Sequence, residues 1–446
     1  MRDNPGTIID RAPMSRFQWI VVAVMIGLNA LDGFDVLSIS FASPGIARDW
    51  GIDRGALGLV LSMELIGMAI GSLLLGGAAD RFGRRGTILA CLVAMACGMF
   101  GAATAHDVVT LSFWRVGTGM GIGGMLAATN AAVAEVANAR RRSLVVVLMA
   151  GGYPIGTIVG GMISAALLAN HDWRAVFVFG GAATLCFIPL VILCAPESIA
   201  FLAQRGGGHD LARINRILGR MGHPPLDGLT PPDAPSAGSR AAELFSGRRA
   251  LLTVLLTIAY LAHIMTFYFI LKWIPKIVVD FGFEPSRAAG VLVWASVGGA
   301  IGSLTLGLLT LRIRVLGLTV AAMLSSAALV VLFGHQHGSL SWLSLTGAIA
   351  GFATNAGVVG IYALLAQAYP TRLRASATGF VIGIGRGGSA LAPALAGWLF
   401  VAGFGLPTVS VLMGMGPLVA AAALVAARRG LSGIGRSGIE PAGSTA

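Results

Sequence analysis

Stretches of about 20 apolar residues, the length a helix needs to cross the hydrocarbon core of a bilayer, recur along almost the whole chain. They can be drawn at 17–43, 56–78, 87–105, 109–134, 144–168, 174–195, 250–274, 287–310, 315–334, 341–366, 375–400 and 405–427. Only 11% of the residues are charged, against about 25% in soluble domains, so the chain cannot clothe a water-soluble surface of its size. The fold class expected is all-α and integral to the membrane, with twelve transmembrane helices. The N-terminus is polar and the first apolar run is too long for a signal h-region, so no cleavable signal is expected.

The basic residues orient these spans. One side collects Arg11, Arg16, Arg81, Arg84, Arg85, Arg140, Arg141, Arg142, Arg312, Arg314, Arg372, Arg374, Arg428 and Arg429, with most arginines of the 196–249 segment. The opposite loops hold Arg48, Arg54, Arg174, Lys276 and Arg287, mostly beside an acid. The positive-inside rule then puts both termini in the cytoplasm of a bacterial-type inner (plasma) membrane. The net charge of +12 is thus topology, and no nucleic acid is expected as a partner. Residues 196–249 form a cytoplasmic central loop with an amphipathic helix over Asp210–Met221, and 430–446 a disordered tail. The cysteines (Cys91, Cys97, Cys186, Cys194) lie in apolar runs without metal-site spacing and are expected as buried core thiols.

The chain also repeats itself. Ala69-Ile70-Gly71-Ser72-Leu73-Leu74-Leu75-Gly76 recurs as Ala300-Ile301-Gly302-Ser303-Leu304-Thr305-Leu306-Gly307, and Ala134-Glu135 with Arg140–Arg142 maps onto Ala366-Gln367 with Arg372–Arg374. Two matches at nearly one offset indicate a duplicated six-helix unit, giving pseudo-symmetric halves at 1–195 and 250–429. Transporters built from such parallel repeats bind their substrate between the halves.

Asp32 and Asp35 stand three residues apart in the first apolar run and therefore share a helix face. At about 1.5 Å per residue they lie roughly 12–16 Å below the outer edge, with Arg115 at about 8 Å and Glu64 at about 12 Å. Ionisable groups at such depth usually serve ion or substrate paths. Three carboxylates beside one arginine cannot all stay ionised away from water, so at least one takes up a proton readily. A static buried pair between Arg115 and one aspartate is the alternative.

In the second half His263 falls at the repeat offset from Asp32, across the cavity by pseudo-symmetry, and Thr266 opposite Asp35. His263 can exchange protons near neutral pH or simply be hydrogen-bonded within the bundle. The planar fork of Arg386 suits a carboxylate, with helix packing the competing role. Tyr260, Phe267, Tyr268, Trp273 and Tyr362 can clasp an aromatic ring or serve packing and interfacial anchoring. Lys272 and Lys276 are expected to snorkel to the headgroups. Gly152, Gly156 and Gly160 form a small-residue packing seam.

Between the second and third runs lies Gly76-x-x-x-Asp80-Arg81-x-Gly83-Arg84-Arg85, the signature loop of the major facilitator superfamily; its second copy has Leu311 in place of the Asp. With Asp32-Gly33-Phe34-Asp35, Arg115-x-x-x-Gly119-x-Gly121, Glu135, Pro196-Glu197-Ser198 and Gly383-Ile384-Gly385-Arg386, the chain resembles the aromatic acid:proton symporters of that superfamily from about residue 17 to 427. The resemblance implies the major facilitator fold and import of a small aromatic carboxylate (benzoate or hydroxybenzoate type) with protons, by a monomer in the lipid bilayer. It implies that Asp32, Asp35, Arg115 and Glu135 matter for transport. Proton coupling is thus expected of Asp32, Asp35, Glu64 and His263, and substrate contacts of Arg115, Arg386, Tyr260, Phe267 and Tyr362. Gating is expected of Asp80, Arg81, Gly83, Arg84, Arg85 and Glu135. A proton-coupled exporter or exchanger of drugs or other organic acids is the alternative. No nucleophile–base set, metal cluster or nucleotide loop is evident, so neither an enzyme nor a cofactor is expected; a membrane sensor would need a signalling domain.

Overall fold

A computed structural model describes residues 5–75, 77–205, 208–228, 243–336 and 338–434. In chain order the helices are α1 (Pro5–Arg11), α2 (Arg16–Trp50), α3 (Arg54–Leu74), α4 (Ala78–Phe82), α5 (Arg84–Ala103), α6 (Val108–Val136), α7 (Arg142–Ala150), α8 (Gly152–Asn170), α9 (Arg174–Cys194), α10 (Ile199–Arg205) and α11 (Gly208–Met221). They continue as α12 (Arg248–Asp280), α13 (Pro285–Leu309), α14 (Val315–Gly334), α15 (Leu340–Ala368), α16 (Thr371–Val401) and α17 (Leu406–Ile434).

Among the described residues, 11 spans are long and apolar enough to cross a membrane, with α7 and α8 counting as one. The remaining long rod, α6, is 29 residues, about 43 Å at 1.5 Å per residue, so length is not what sets it apart. Its five glycines, Arg115 and Asn130 dilute its hydropathy, and the site described below is built on it. The chain divides into two compact units, Met1–Pro235 with Glu284–Val293, and Ser236–Phe283 with Trp294–Ala446.

Each unit contains the same glycine seam. In the first, a Cβ on Gly67 or Gly71 of α3 would strike the Val116 or Met120 carbonyl of α6, and one on Gly119 or Gly123 would strike the Glu64 or Met68 carbonyl of α3. In the second, Gly298 and Gly302 of α13 meet the Ala348 and Phe352 carbonyls of α15, and Gly351 meets that of Ala295. Backbones this close exclude side chains and gain dispersion along the contact, which drives helix association where lipid removes the hydrophobic term. The repeat seen in the sequence is therefore a repeated packing device.

Several elements run differently from the sequence expectation. Helix α2 continues through Pro44 to Trp50. Pro44 cannot donate to the Ser40 carbonyl, and the Ser43 hydroxyl donates to it instead at 2.9 Å. The fifth span is broken at Gly151 into α7 and α8. Only Cys91 is buried; Cys97 and Cys186 are exposed, because a membrane bundle is apolar outside as well as inside, and an apolar run does not fix which way a thiol faces. Lys272 and Trp273 are wholly buried rather than placed at headgroups. The Trp273 indole donates to the Pro393 carbonyl at 3.3 Å, while Lys276 pairs with Asp280. The amphipathic helix expected over Asp210–Met221 forms as α11 and buries Ile214, Ile217, Leu218 and Met221.

Candidate functional site

The first unit gathers four ionisable side chains at membrane depth. Gly33 lets α8 approach α2 at the Tyr153 carbonyl, and Gly156 and Gly160 meet Ala30 and Phe34. The glycine seam expected in the fifth span thus docks on the acidic motif itself. Asp32, Asp35, Glu64 and Arg115 are all buried, the last three completely.

Arg115 forms its ion pair with Glu64, not with an aspartate. Its Nη2 also donates to the Asp35 main-chain carbonyl at 3.1 Å and its Nη1 to the Met99 sulfur at 3.2 Å. The Phe177 ring lies under the guanidinium at 5.4 Å. Arg115 Nε and both carboxyl oxygens of Asp35 have no hydrogen-bond partner among the described residues. Asp35 nonetheless feels the charges of Arg115 and Glu64. An acid buried without a donor to its oxygens is one that water, a proton or a moving cation must satisfy.

The second unit builds a different chemistry on α12. Tyr260, His263 and Phe267 are spaced i, i+3, i+7 and share one stripe. The Tyr260 and Tyr362 hydroxyls are 3.1 Å apart, with ring centroids at 5.8 Å, and the Arg386 charge reaches both phenols. Gly385 is what admits the Tyr260 ring against α16. Three of the expected substrate contacts are therefore together. Phe267, two helical turns beyond Tyr260, meets Tyr268 edge-on at 5.2 Å. His263 is wholly buried; its Nε2 lies 2.8 Å from the Thr354 carbonyl, which can only accept, so that nitrogen carries the proton. Gly357 leaves room for the imidazole. Thr266, the repeat counterpart of Asp35, donates to the Met413 carbonyl.

Of the residues expected to gate, Gly83, Arg84, Arg85 and Glu135 make defined contacts at the arginine-rich end of the first unit. Arg84 pairs with Glu135 at 3.1 Å and donates to the Ala79 carbonyl at 2.8 Å. Arg85 donates to the Ile192 carbonyl at 2.6 Å, and Arg81 is exposed beside Phe82. The side chain of Asp80 lies outside the described residues, as does Gly76. Sequence reasoning missed Glu197: its Oε1 accepts from the backbone amides of Arg84 at 2.7 Å and Arg85 at 3.2 Å, capping the first turn of α5. Gly83 is required twice, by its φ of 90° and because a Cβ there would collide with the Glu197 carboxylate. The signal was in the Pro-Glu-Ser stretch, an acid placed to meet the positive end of a helix. Removing it in Glu197→Ala should cost about 1–2 kcal/mol, read as a lower melting midpoint in detergent, with Glu197→Gln milder because an acceptor remains. Equal midpoints for both variants and the parent would show that the cap contributes nothing.

Two repeats, one with buried charge and the other with a phenol–guanidinium cluster, are the build of a membrane carrier. The chain belongs to the major facilitator superfamily, whose profile matches residues 25–314 and 256–442. Within it, the gallate transporter of Pseudomonas putida is 30% identical, covering 94% of this chain and 93% of its own length. The 4-hydroxybenzoate transporter PcaK of Acinetobacter baylyi is 32% identical, covering 86% of this chain and 85% of its own. In fold, the xylose transporter XylE from E. coli in an inward open conformation matches with a TM-score of 0.68 at 17% identity, covering 92% of this chain and 96% of that one.

Proposed function

We propose that this chain imports a small aromatic carboxylate together with protons, by alternating access between two six-helix halves in a bacterial inner membrane. The observation that carries the reading is the division of charge. The membrane helices of the first half hold Asp32, Asp35 and Glu64 with Arg115 among them, while residues 250–429 contain only two acids, Asp280 at the end of α12 and Glu284 in the turn after it. That same stretch holds Lys272, His263 and Arg386 within its helices. An anion and a proton carried together need such opposed environments. The relatives named for gallate and 4-hydroxybenzoate support an aromatic acid as the cargo.

In this reading Asp35, with Asp32 beside it, takes the proton. Arg386 holds the substrate carboxylate, and Tyr260 and Tyr362 flank its ring. The Arg84–Glu135 pair and the Glu197 cap hold the cytoplasmic gate, which opens and closes as the halves rock. Uptake of labelled benzoate, 4-hydroxybenzoate, gallate and gentisate into proteoliposomes with an acidic exterior tests it. Accumulation that requires the inward proton gradient is expected; accumulation only with the gradient reversed would make the protein an exporter. Arg386→Ala should raise KM about 10–100-fold, the loss of one charge-assisted contact of about 1.5–3 kcal/mol. Arg386→Lys should recover only part, because an ammonium cannot reproduce the fork. Wild-type KM in Arg386→Ala would remove Arg386 from the substrate site.

A further inference from the structure

We infer that Glu64 is the resident counter-ion of Arg115, and that it sets the pH at which Asp35 gives up its proton by competing for the same guanidinium. This deepens the symport reading above and rests on it.

The second unit supplies an internal control. Gly67 and Gly71 correspond to Gly298 and Gly302, and Gly119 to Gly351, at offsets that align Glu64 with Ala295 and Arg115 with Gly347. Gly351 meets the Ala295 carbonyl as Gly119 meets that of Glu64. The same helix seam therefore forms with an alanine and a glycine where the first unit has an ion pair. The fold does not need the pair, and burying two charges is costly unless they do something.

What they can do is visible in the unused hydrogen-bonding edges. Arg115 spends its Nη atoms on Glu64, Met99 and the Asp35 carbonyl, and keeps Nε without an acceptor. The Asp35 carboxyl, whose Oδ1 points toward Gly180 of α9, keeps both oxygens without a donor. An unmet donor on Arg115 and an unmet carboxyl on Asp35 thus stand in the same cluster, joined already through the Asp35 main-chain carbonyl. With Asp35 protonated, the Glu64 and Arg115 charges balance each other. When Asp35 passes its proton to water, its O–H bond breaks, the carboxylate keeps the electron pair, and the free guanidinium edge becomes its partner while Glu64 still holds the other. The remaining ionisable neighbours are Asp32 on the same helix, with Cys91 of α5 beside it, and Tyr153 of α8, which packs at Gly33.

Removing Glu64's charge leaves Arg115 wholly to Asp35, which then ionises more easily. Glu64→Gln should move the pH of half-maximal gradient-driven uptake about 1–3 units to acid. Removing both charges does the opposite. The double variant Glu64→Ala, Arg115→Gly copies the residues that the second unit accepts at these positions, so the bundle should form. With no cation nearby, Asp35 keeps its proton to higher pH and the midpoint should move to alkali. Full-length protein in proteoliposomes, given whichever acid of the benzoate–gallate panel the wild type accumulates best, tests both. Opposite shifts establish the competition. Coincident wild-type and Glu64→Gln profiles, or shifts in the same direction, overturn it. Loss of all gradient dependence in Glu64→Gln overturns it too, making Glu64 the proton carrier. If Glu64→Gln is not recovered folded, the double variant decides alone through the sign of its shift. A wild type without gradient-driven uptake would sink the symport reading itself, a failure seen before any variant is compared.

Discussion

Asp35→Asn is expected to abolish accumulation driven by a pH gradient while leaving a folded protein that still lets its substrate run downhill at a reduced rate. Asparagine has nearly the shape of a protonated aspartic acid and, like it, is neutral, so the pocket beside Arg115 and Glu64 sees little change in charge from the proton-loaded state. The Asp35 oxygens have no hydrogen-bond partner among the described residues, so no donor is orphaned by the exchange. What is lost is the ability to cycle between neutral and charged. One proton moving down one pH unit supplies about 1.4 kcal/mol, a factor of ten in concentration. A gradient of two units can therefore sustain about 100-fold accumulation for a single coupled proton, and the variant should relax to no accumulation at all. Internal and external concentrations of labelled acid, measured at steady state in proteoliposomes, read this directly. If Asp35→Asn and Asp32→Asn both still accumulate substrate against its gradient, the proton does not travel on α2.

The fold was legible because the membrane forces it: span length and apolar content leave a helix little alternative, and even α6, with its diluted hydropathy, is marked by length. The repeat was legible because a seam of glycines cannot be substituted without collision, so Gly67, Gly71 and Gly119 reappear as Gly298, Gly302 and Gly351. The depths of Glu64 and Arg115 were also legible, but their pairing was not. Depth fixes position along a helix, whereas pairing needs its rotation, which is set by which glycine faces which carbonyl on the neighbour. The sequence placed three carboxylates at similar depth to Arg115, with an aspartate pair as the alternative, and only the α3–α6 register assigns the partner's place to Glu64. Lys272 and Trp273 were misplaced for a related reason: a cation or indole near the end of a span reads as an anchor unless the bundle is known to close around it.

That register makes a second large effect predictable, and two neighbouring glycines separate its cause from simple helix propensity. Gly119→Ala should severely destabilise the first unit, because its new methyl group would strike the Glu64 carbonyl, a backbone atom that cannot turn aside. Relief requires α3 and α6 to separate along the seam that carries Gly67, Gly71 and Gly123, at an overpacking cost of about 1–3 kcal/mol. Separation would also pull Glu64 from Arg115, leaving two buried charges without their partner, for which about 3–5 kcal/mol is typical. Gly117, on the same helix two residues earlier, has nothing within 4 Å of an added Cβ. There alanine should stabilise by about 0.8–1 kcal/mol, the ordinary gain over glycine in a helix. Both variants make the same chemical change in α6, so opposite shifts of the detergent melting midpoint can come only from what each methyl group meets. Equal shifts would mean that α3 does not approach α6 at Gly119, and the Glu64–Arg115 pair would lose the geometry that holds it.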